Sequence, residues 1–271
     1  KVSLMGKAVL FLVFNRPDTT ARVFDCIREA KPPRLYVAGD GPRAGRQGEE
    51  ERVREARRIA TSIDWPCEVQ TLFREENLGC KRAVSGALNW FFAQEEEGII
   101  LEDDCVPDPS FFRFCEEMIE RYRDEENVAT ISGNNFVSRG PKDANRYFFS
   151  KYFHCSGWAT WRRGWELYRG NLEGWPEWHA SNEFQQWFPS KRVRSYWAKI
   201  FDDCYEELID SWAYPFQAWL WMNRRLSVHP GVNLVENVGF GKEATHTTGS
   251  SFFPDSSSLN FPLRSGNLIN R

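Results

Sequence analysis

The strongest chemical signal in this 271-residue chain is a run of three acids, Glu102-Asp103-Asp104, directly after a short apolar segment at 99–101. The apolar segment predicts a buried strand, so the three carboxylates should lie together where the strand ends. Adjacent carboxylates repel one another and resist burial unless a cation lies beside them. Hard oxygen ligands suit Mg²⁺ or Mn²⁺, and such ions commonly carry phosphate groups. The run therefore predicts a site for a metal-bound diphosphate, with an acidic surface loop as the alternative.

The first 134 residues must position this run, and they alternate strand and helix patterns. That alternation predicts an α/β fold, in which a parallel sheet has helices on its faces. The predicted strands cover 8–14, 35–38, 68–73, 99–101 and 128–132, and the predicted helices start at Pro17 or cover 48–62, 80–97 and 110–123. Asp108 and Pro109 should cap the last of these helices and begin its first turn.

The second half of the chain has a different character. Ten of the 12 tryptophans lie between Trp158 and Trp221, and the pattern is irregular from about residue 135. Helical spacing returns over 191–226, followed by strand-like spacing over 227–235, and the Ser-, Asn- and Gly-rich tail from Ser250 predicts poor order. We expect one domain, with an N-terminal half at 1–134, an elaborated half at 135–249 and a flexible tail at 250–271.

Polar groups follow the predicted strands at the end where an open parallel sheet binds its ligands. Asn15-Arg16-Pro17 follows the first strand, Asp40 the second, and a segment that includes Lys81 the third. Arg16 and Lys81 could neutralise phosphate oxygens, and Asp40 could accept a hydrogen bond from a base or a ribose. The structural alternatives are a surface charge at a helix start for Arg16 and a turn residue for Asp40.

Composition excludes several classes of function. A net charge of −3 gives no electrostatic footprint for nucleic acid, and no GxGxxG dinucleotide-binding loop follows the first strand. The longest apolar run, 8–14, is too short to cross a bilayer, and no signal peptide is visible, although a leader or anchor could precede Lys1. Seven scattered cysteines without a CxxC pair predict free thiols, which favours a cytoplasmic location.

Several blocks of the sequence resemble a GT-A glycosyltransferase, and more narrowly the N-acetylglucosaminyltransferase I family and bacterial family-2-type sugar transferases. The most specific block is the acidic run followed by a Pro-x-Phe-Phe helix. The resemblance covers roughly residues 7–248 and rests on Phe14-Asn15-Arg16-Pro17, Glu75-Glu76-Asn77-Leu78-Gly79, Leu101-Glu102-Asp103-Asp104 with Pro109-Ser110-Phe111-Phe112, His154-Cys155-Ser156-Gly157-Trp158, and Phe240-Gly241 with His246. It implies a Rossmann-like, mostly parallel sheet flanked by helices.

The resemblance also implies roles for individual residues. Asp104 would be the principal metal ligand, and His246 would match a C-terminal histidine that some GT-A enzymes place at the metal. Glu102 and Asp103 would face ribose, donor sugar or the metal's surroundings, while Asn15, Arg16, Pro17, Asp40 and Lys81 would bind the nucleotide. Gly157, Trp158, Trp212 and Tyr214 would bind the acceptor, with core packing as the alternative for Trp158 and a polar-loop histidine as the alternative for His246.

The catalytic base is where the sequence departs from the family pattern. Inverting relatives carry an acid after a tryptophan to deprotonate the acceptor hydroxyl, and here Ala213 follows Trp212. An engineered substitution, a natural loss of activity and a base supplied from nearby all fit this departure. Asp210 is the nearest candidate base, with a helix cap as its structural alternative.

The expected function is therefore metal-dependent sugar transfer, through Mn²⁺ or Mg²⁺, from a nucleoside-diphosphate donor to a glycan hydroxyl. A UDP donor, possible transfer of GlcNAc and inversion of configuration follow from the resemblance alone. A nucleotidyltransferase would need a Gly-rich basic loop after the first strand, which Asn15-Arg16-Pro17-Asp18 is not. A non-catalytic carbohydrate-binding protein remains the main alternative. The sequence is also compatible with membrane association through a segment outside it, and with a location in the Golgi lumen in a eukaryotic source.

Overall fold

The computed structural model of the protein describes residues 6–137, 143–239 and 256–265. The strands are β1 (Ala8–Val13), β2 (Arg34–Gly39), β3 (Glu68–Phe73), β4 (Glu97–Glu102), β5 (Cys105–Pro107), β6 (Val128–Ser132), β7 (Arg146–Ser150), β8 (Trp158–Trp161), β9 (Leu226–Pro230), β10 (Val235–Asn237) and β11 (Arg264–Ser265). The helices are α1 (Pro17–Ala30), α2 (Glu49–Ala60), α3 (Gly79–Phe92), α4 (Pro109–Arg121), α5 (Arg162–Trp165), α6 (Trp175–Ala180), α7 (Asn182–Trp187), α8 (Lys191–Tyr205) and α9 (Ala213–Met222).

Nine of the described strands form one sheet in the order β11-β7-β9-β6-β8-β4-β1-β2-β3. The strands β3, β2, β1 and β4 are parallel, so their carboxyl ends share one edge of the sheet. The strand β8 pairs antiparallel with both β4 and β6, and β9 continues parallel to β6. This mostly parallel, Rossmann-like sheet flanked by helices confirms the α/β fold that the alternating pattern predicts.

Alternate residues of β1 belong to two different cores. Val9, Phe11 and Val13 pack in a cluster with α1 and α4 on one face of the sheet. Leu10 and Leu12 pack on the other face, in a cluster with residues of α3 and α9. Because side chains alternate along a strand, a strand covered on both faces must be apolar throughout. This requirement explains the unbroken apolar run at 8–13.

The helix α4 begins as its sequence predicts. The Asp108 side chain accepts a hydrogen bond of 2.8 Å from the Ser110 amide, and Pro109 occupies the first turn. Phe111, Phe112 and Phe114 are buried against the sheet. This cap and its apolar face fix where the chain leaves the acidic run of residues 102–104.

A second, two-stranded sheet lies beside the acidic run. The strand β10 pairs antiparallel with β5, which places Asn237 opposite Cys105. The Val238 amide then donates a 2.8 Å hydrogen bond to the Asp104 carbonyl oxygen. The C-terminal half thus returns to the carboxyl end of β4.

The tryptophans of the C-terminal half are mainly core residues. Trp158 and Trp212 are buried and stack on each other, with ring centroids 5.6 Å apart. A further cluster around Trp175, Trp178 and Trp221 holds the C-terminal helices together. The unusual tryptophan content is therefore explained by packing between short helices.

Two predictions for the C-terminal half need correction. The helical spacing over 191–226 belongs to two helices, α8 and α9, separated by residues 206–212. Part of the tail predicted to be poorly ordered is packed, because Leu259 and Leu263 are buried and β11 pairs with β7. Apolar residues spaced among serines and asparagines are enough to anchor residues 256–265 here.

All seven cysteines are free, as their spacing predicts.

No helix in the described ranges is long and apolar enough to cross a membrane.

Candidate functional site

A cavity of about 630 Å³ lies at the carboxyl ends of the parallel strands. Its wall between β1, β2 and α3 is apolar, and its rim carries the charged side chains. The polar lining residues include Arg16, Asp40, Arg43, Arg74, Glu102, Asp103, Asp104 and Asp210. The volume is that of a typical small-molecule site, and the apolar wall with a charged rim suits a ligand that has one flat, weakly polar part and one anionic part.

The acidic run forms the electrostatic centre of this cavity. Burial, followed by repulsion from the Asp104 carboxylate, raises the pKa of both Glu102 and Asp103 above the usual range for a carboxyl group. A 2.9 Å hydrogen bond from the Phe14 amide to Asp103 Oδ2 partly offsets this effect. The cluster therefore favours any cation that enters the cavity.

Arg16 supplies a protein cation at this point. Its Nη1 lies 2.6 Å from Asp104 Oδ2, and the two side chains are only 19% and 17% exposed. Gly239 packs directly against the pair, since a Cβ atom at this position would lie 2.0 Å from Asp104 Oδ2 and 2.8 Å from Arg16 Nη1. A larger residue at 239 would displace the pair, so the glycine permits the chain after β10 to approach it.

The carboxylate oxygens of the acidic run determine whether Mg²⁺ or Mn²⁺ could bind in the cavity. Within the described ranges, no three His, Cys, Asp or Glu side chains converge as a protein-only metal cage would need. An ion held by one or two carboxylates and by substrate phosphate oxygens needs no such cage. Asp104 offers carboxylate oxygens on the cavity wall, with Glu102 and Asp103 beside it. The residues present therefore fit a hard divalent ion that arrives with a diphosphate.

Asp40 holds the loop that precedes α3. Its Oδ1 accepts from the Gly41 and Leu78 amides at 3.0 Å each, and its Oδ2 accepts from the Leu78 and Gly79 amides at 3.0 and 3.2 Å. Burial raises the pKa of Asp40, although these backbone donors partly offset the effect. A carboxylate has about four lone-pair positions, so backbone contacts already use most of them. Contact of Asp40 with a base or a ribose, which its position after the second strand predicts, stays a prediction.

Asp210 reaches the same loop from the C-terminal half. Its Oδ2 accepts a 2.8 Å hydrogen bond from the Cys80 amide, and its Oδ1 accepts one of 2.9 Å from the Lys81 amide. Gly79, with φ +79°, leaves room for this contact, because a Cβ atom there would lie 2.7 Å from Asp210 Oδ2. Asp210 therefore caps the N-terminus of α3, as its structural alternative predicts, and also lines the cavity.

Glu49 is a buried residue that holds two loops of the site together. The sequence did not indicate this role, because Glu49 belongs to the charged pattern of α2. It has no solvent exposure. It accepts a 2.8 Å hydrogen bond from Asn15 Nδ2, a 2.6 Å bond from the Arg43 amide and further bonds from the Arg43 guanidinium. The guanidinium of Arg43 in turn lies 5.5 Å from the centre of the Phe14 ring. Glu49 thus joins the loops after β1 and β2 at the cavity rim.

Other predicted site residues lie beside the cavity or away from it. Asn15 lies beside the cavity through its bond to Glu49, and Pro17 begins α1. Lys81 lies 3.4 Å from Glu207 and faces a neighbouring groove rather than the cavity. The prediction for His246 lies outside the described residues, as does the rest of 240–255.

Of the predicted acceptor-binding residues, one lines the cavity and others are buried in the core. Tyr214 lines the cavity. Trp158 and Trp212 are buried in the core, where no sugar could stack on them, and a Cβ atom at Gly157 would meet Val235 at 2.8 Å. Ala213 packs against the same apolar cluster as the two tryptophans. The structure thus favours the core-packing alternative for Trp158.

No protein-family model and no curated protein matches the chain. Solved structures that match it include UDP-glucose pyrophosphorylase complexed with UDP-glucose, at TM-score 0.29 and 10% identity. That match covers 50% of this chain and 66% of that chain, slightly less than two thirds of its length. The inositol-1-phosphate CTP transferase from T. maritima matches at TM-score 0.32 and 10% identity, over 60% of this chain and 74% of that chain. An apo UDP-glucose pyrophosphorylase matches at TM-score 0.39 and 8% identity, over 83% of this chain and 90% of that chain.

These neighbours are pyrophosphorylases and a CTP transferase, and the glycosyltransferase resemblance has no counterpart among them. At such low TM-scores and identities they carry no argument about what this chain does. The assignment of function depends on the cavity itself.

We expect Glu49→Gln to lower the free energy of unfolding at neutral pH by about 1–2 kcal/mol, because the Arg43 and Asn15 donors lose a buried, ionised acceptor. Hydrogen bonds from Arg43 hold the pKa of Glu49 at about 2, below its ordinary value of 4.5. Its ionised form therefore stabilises the fold above pH 4.5, and this contribution disappears as the pH falls towards 2.

Denaturant unfolding at several pH values checks this prediction. The exposed neighbour Glu50→Gln is the matched control and should change stability little at any pH. Equal effects of the two substitutions, or a Glu49→Gln deficit that grows on acidification, would contradict the assignment.

Proposed function

We propose that this protein transfers a sugar from a nucleoside-diphosphate donor, with UDP favoured, to a hydroxyl group of a glycan. The observation that carries this proposal is the convergence of Arg16, Asp103 and Asp104 at the charged end of a cavity whose other wall is apolar. A nucleoside diphosphate has a flat base and a strongly anionic diphosphate, which match these two environments. The GT-A resemblance of the same segments supports this choice.

The donor would lie along the cavity with its base against the apolar wall of Leu12, Ala38 and Ala83. Its diphosphate would lie at Arg16 and Asp104. A divalent ion bound there with the diphosphate would supply positive charge that stabilises the leaving group. Arg16 would then have phosphate oxygens as alternative partners to Asp104, because a guanidinium binds phosphate as readily as carboxylate.

The reaction would be a single displacement at the anomeric carbon of the sugar. The acceptor hydroxyl oxygen forms a bond to that carbon while the bond from the carbon to the diphosphate oxygen breaks, and the hydroxyl proton goes to a carboxylate. The products are the extended glycan and the free nucleoside diphosphate. Attack opposite to the leaving group inverts the configuration, as the GT-A resemblance implies.

Asp210 is the carboxylate that we assign to the proton transfer. The other acids of the cavity have different roles. Asp40 accepts hydrogen bonds from the loop before α3, and the acidic run would face the diphosphate. Two backbone amides donate to Asp210 and fix its position, and each carboxylate oxygen has a second lone pair that neither amide uses. Ala213, at which the resemblance expects an acid, is partly buried against an apolar cluster instead.

Asp104→Asn tests the metal-dependent part of the proposal. We expect wild-type protein to bind UDP more tightly when Mn²⁺ is present, and Asp104→Asn to lose that enhancement, because a neutral amide is a poor ligand for a hard cation. Isothermal titration calorimetry with UDP, with and without Mn²⁺, measures both. The exposed Asp124→Asn should retain the enhancement. Wild-type affinity that does not respond to Mn²⁺ would refute the metal site.

Asp210→Asn tests the assignment of the base. We expect transfer to fall by about a hundredfold or more, the usual contribution of a general base, while the affinity for UDP with Mn²⁺ changes little. The loss of one of the two oxygens that accept from the α3 amides should also cost about 1 kcal/mol of stability. Product formation from UDP-sugars is the readout, with Glu206→Gln as a control on an exposed neighbouring acid that lines neither the cavity nor another described pocket. Unchanged transfer in Asp210→Asn would remove Asp210 from the mechanism.

Ala213→Asp tests the competing explanation, in which an acid is missing at position 213. We expect no gain in transfer, because the side chain at 213 packs against the apolar cluster that contains Trp158 and Trp212. Initial rates at saturating UDP-sugar decide the question. A rate increase of orders of magnitude would show that position 213 holds the base and that Asp210 is a cap only.

Measured turnover also separates the alternatives. A non-catalytic carbohydrate-binding protein would bind glycan without Mn²⁺ and release no UDP, and a nucleotidyltransferase would release pyrophosphate from a nucleoside triphosphate. The loop after β1 carries Asn15, Arg16 and Pro17 in place of the Gly-rich basic loop that the latter class needs.

A further inference from the structure

A second polar groove of about 710 Å³ lies against the outer side of α3. It is lined by residues 81, 82 and 85 of α3, by residues 168–171 and 173 after α5, and by residues 207, 209 and 210 between α8 and α9. This groove is separate from the cavity at the carboxyl ends of the strands, and the sequence patterns gave no indication of it.

The groove offers both donors and acceptors of hydrogen bonds. Arg82 presents guanidinium donors, and Asn171 Nδ2 donates one hydrogen to Glu173 Oε1 and keeps a second for a ligand. Ser85 Oγ donates to the Lys81 carbonyl oxygen and can still accept, as can Glu173. Tyr168 adds an aromatic ring that is held in place by stacking on Trp165, with centroids 4.6 Å apart. A saccharide needs this mixture, because each of its hydroxyl groups donates one hydrogen bond and accepts others.

The charges of the groove indicate a neutral ligand. Among its described lining residues there are three cations, Lys81, Arg82 and Arg169, and three acids, Glu173, Glu207 and Asp210. Lys81 pairs with Glu207 at 3.4 Å, and Asp210 accepts from backbone amides. The formal charges cancel, in contrast to the cavity rim, where a cation and the acidic run suit a diphosphate with a metal. The groove therefore does not duplicate the nucleotide site.

Asp210 connects the two sites. Of the residues that the structure describes, it is the one that lines both the cavity and the groove. A general base must contact the acceptor hydroxyl and lie close to the anomeric carbon of the donor. A carboxylate at the junction of the two sites meets both requirements.

We propose that this groove binds the acceptor as a neutral saccharide, whose reacting hydroxyl group reaches Asp210 from the side of α3. This inference rests on the proposed function and adds the location and chemical class of the acceptor. It replaces the stacking on Trp158 and Trp212 that the resemblance implies, because those rings are buried. Tyr168 and the polar side chains of the groove take their place.

The test uses a panel of methyl glycosides of neutral sugars (glucose, galactose, mannose and N-acetylglucosamine) together with methyl glucuronide as a charged analogue. Saturation-transfer difference NMR measures their binding to the full chain, with and without UDP and Mg²⁺, which is diamagnetic. We expect at least one neutral glycoside to bind more tightly than the glucuronide. Arg82→Ala and Asn171→Ala should each weaken that binding about tenfold, as loss of one hydrogen bond to the ligand would.

The affinity for UDP with Mn²⁺ should stay constant in both variants, and Arg192→Ala, an exposed arginine on α8, should change neither measurement. Tighter binding of the glucuronide, equal glycoside binding by wild type and both groove variants, or no binding by any neutral glycoside would overturn the inference. Failure of wild type to bind UDP in the presence of Mn²⁺ would instead overturn the proposed function. Groove-dependent glycoside binding without UDP would still hold in that case.

Discussion

Electrostatic repulsion among Glu102, Asp103 and Asp104 is the constraint on which the site depends. These carboxylates lie together because β4 ends there, and burial makes each charge harder to accommodate. Within the described residues, Arg16 pairs with Asp104 from the loop after the neighbouring strand β1. The parallel pairing of β1 with β4 makes this contact possible, because it brings the ends of both strands to the same edge. A ligand that brings further positive charge and accepts hydrogen bonds from Arg16 would complete the arrangement.

The N-terminus of α3 joins the two halves of the chain. Asp40 binds the amides at 78 and 79, and Asp210 binds those at 80 and 81. One carboxylate comes from the N-terminal half and the other from the segment before α9, so the same helix turn fixes both relative to the cavity. Four amides at a helix terminus need acceptors, and these two side chains provide them. The position of Asp210 thus follows from backbone hydrogen bonding as much as from any catalytic role.

The sequence was sufficient to predict the features that depend on local pattern. Strand ends could be predicted from apolar runs, so the gathering of Arg16, Asp40 and Asp104 followed from the rule for parallel sheets. Glu49 could not be predicted, because its burial depends on Arg43 and Asn15 folding over a helix whose other acids are exposed. Trp158 was ambiguous for a similar reason. An aromatic side chain can serve a core or a sugar site, and here Trp212, 54 positions away in the chain, covers it.

The most direct measurement of the central claim is a crystal structure of the protein with UDP and Mn²⁺, using anomalous scattering to locate the metal. The account predicts an anomalous peak within bonding distance of an Asp104 carboxylate oxygen, with the diphosphate bridging to Arg16 and the base against the apolar wall. Nucleotide bound elsewhere, or a cavity in which Asp104 has neither metal nor diphosphate at saturating UDP and Mn²⁺, would contradict it.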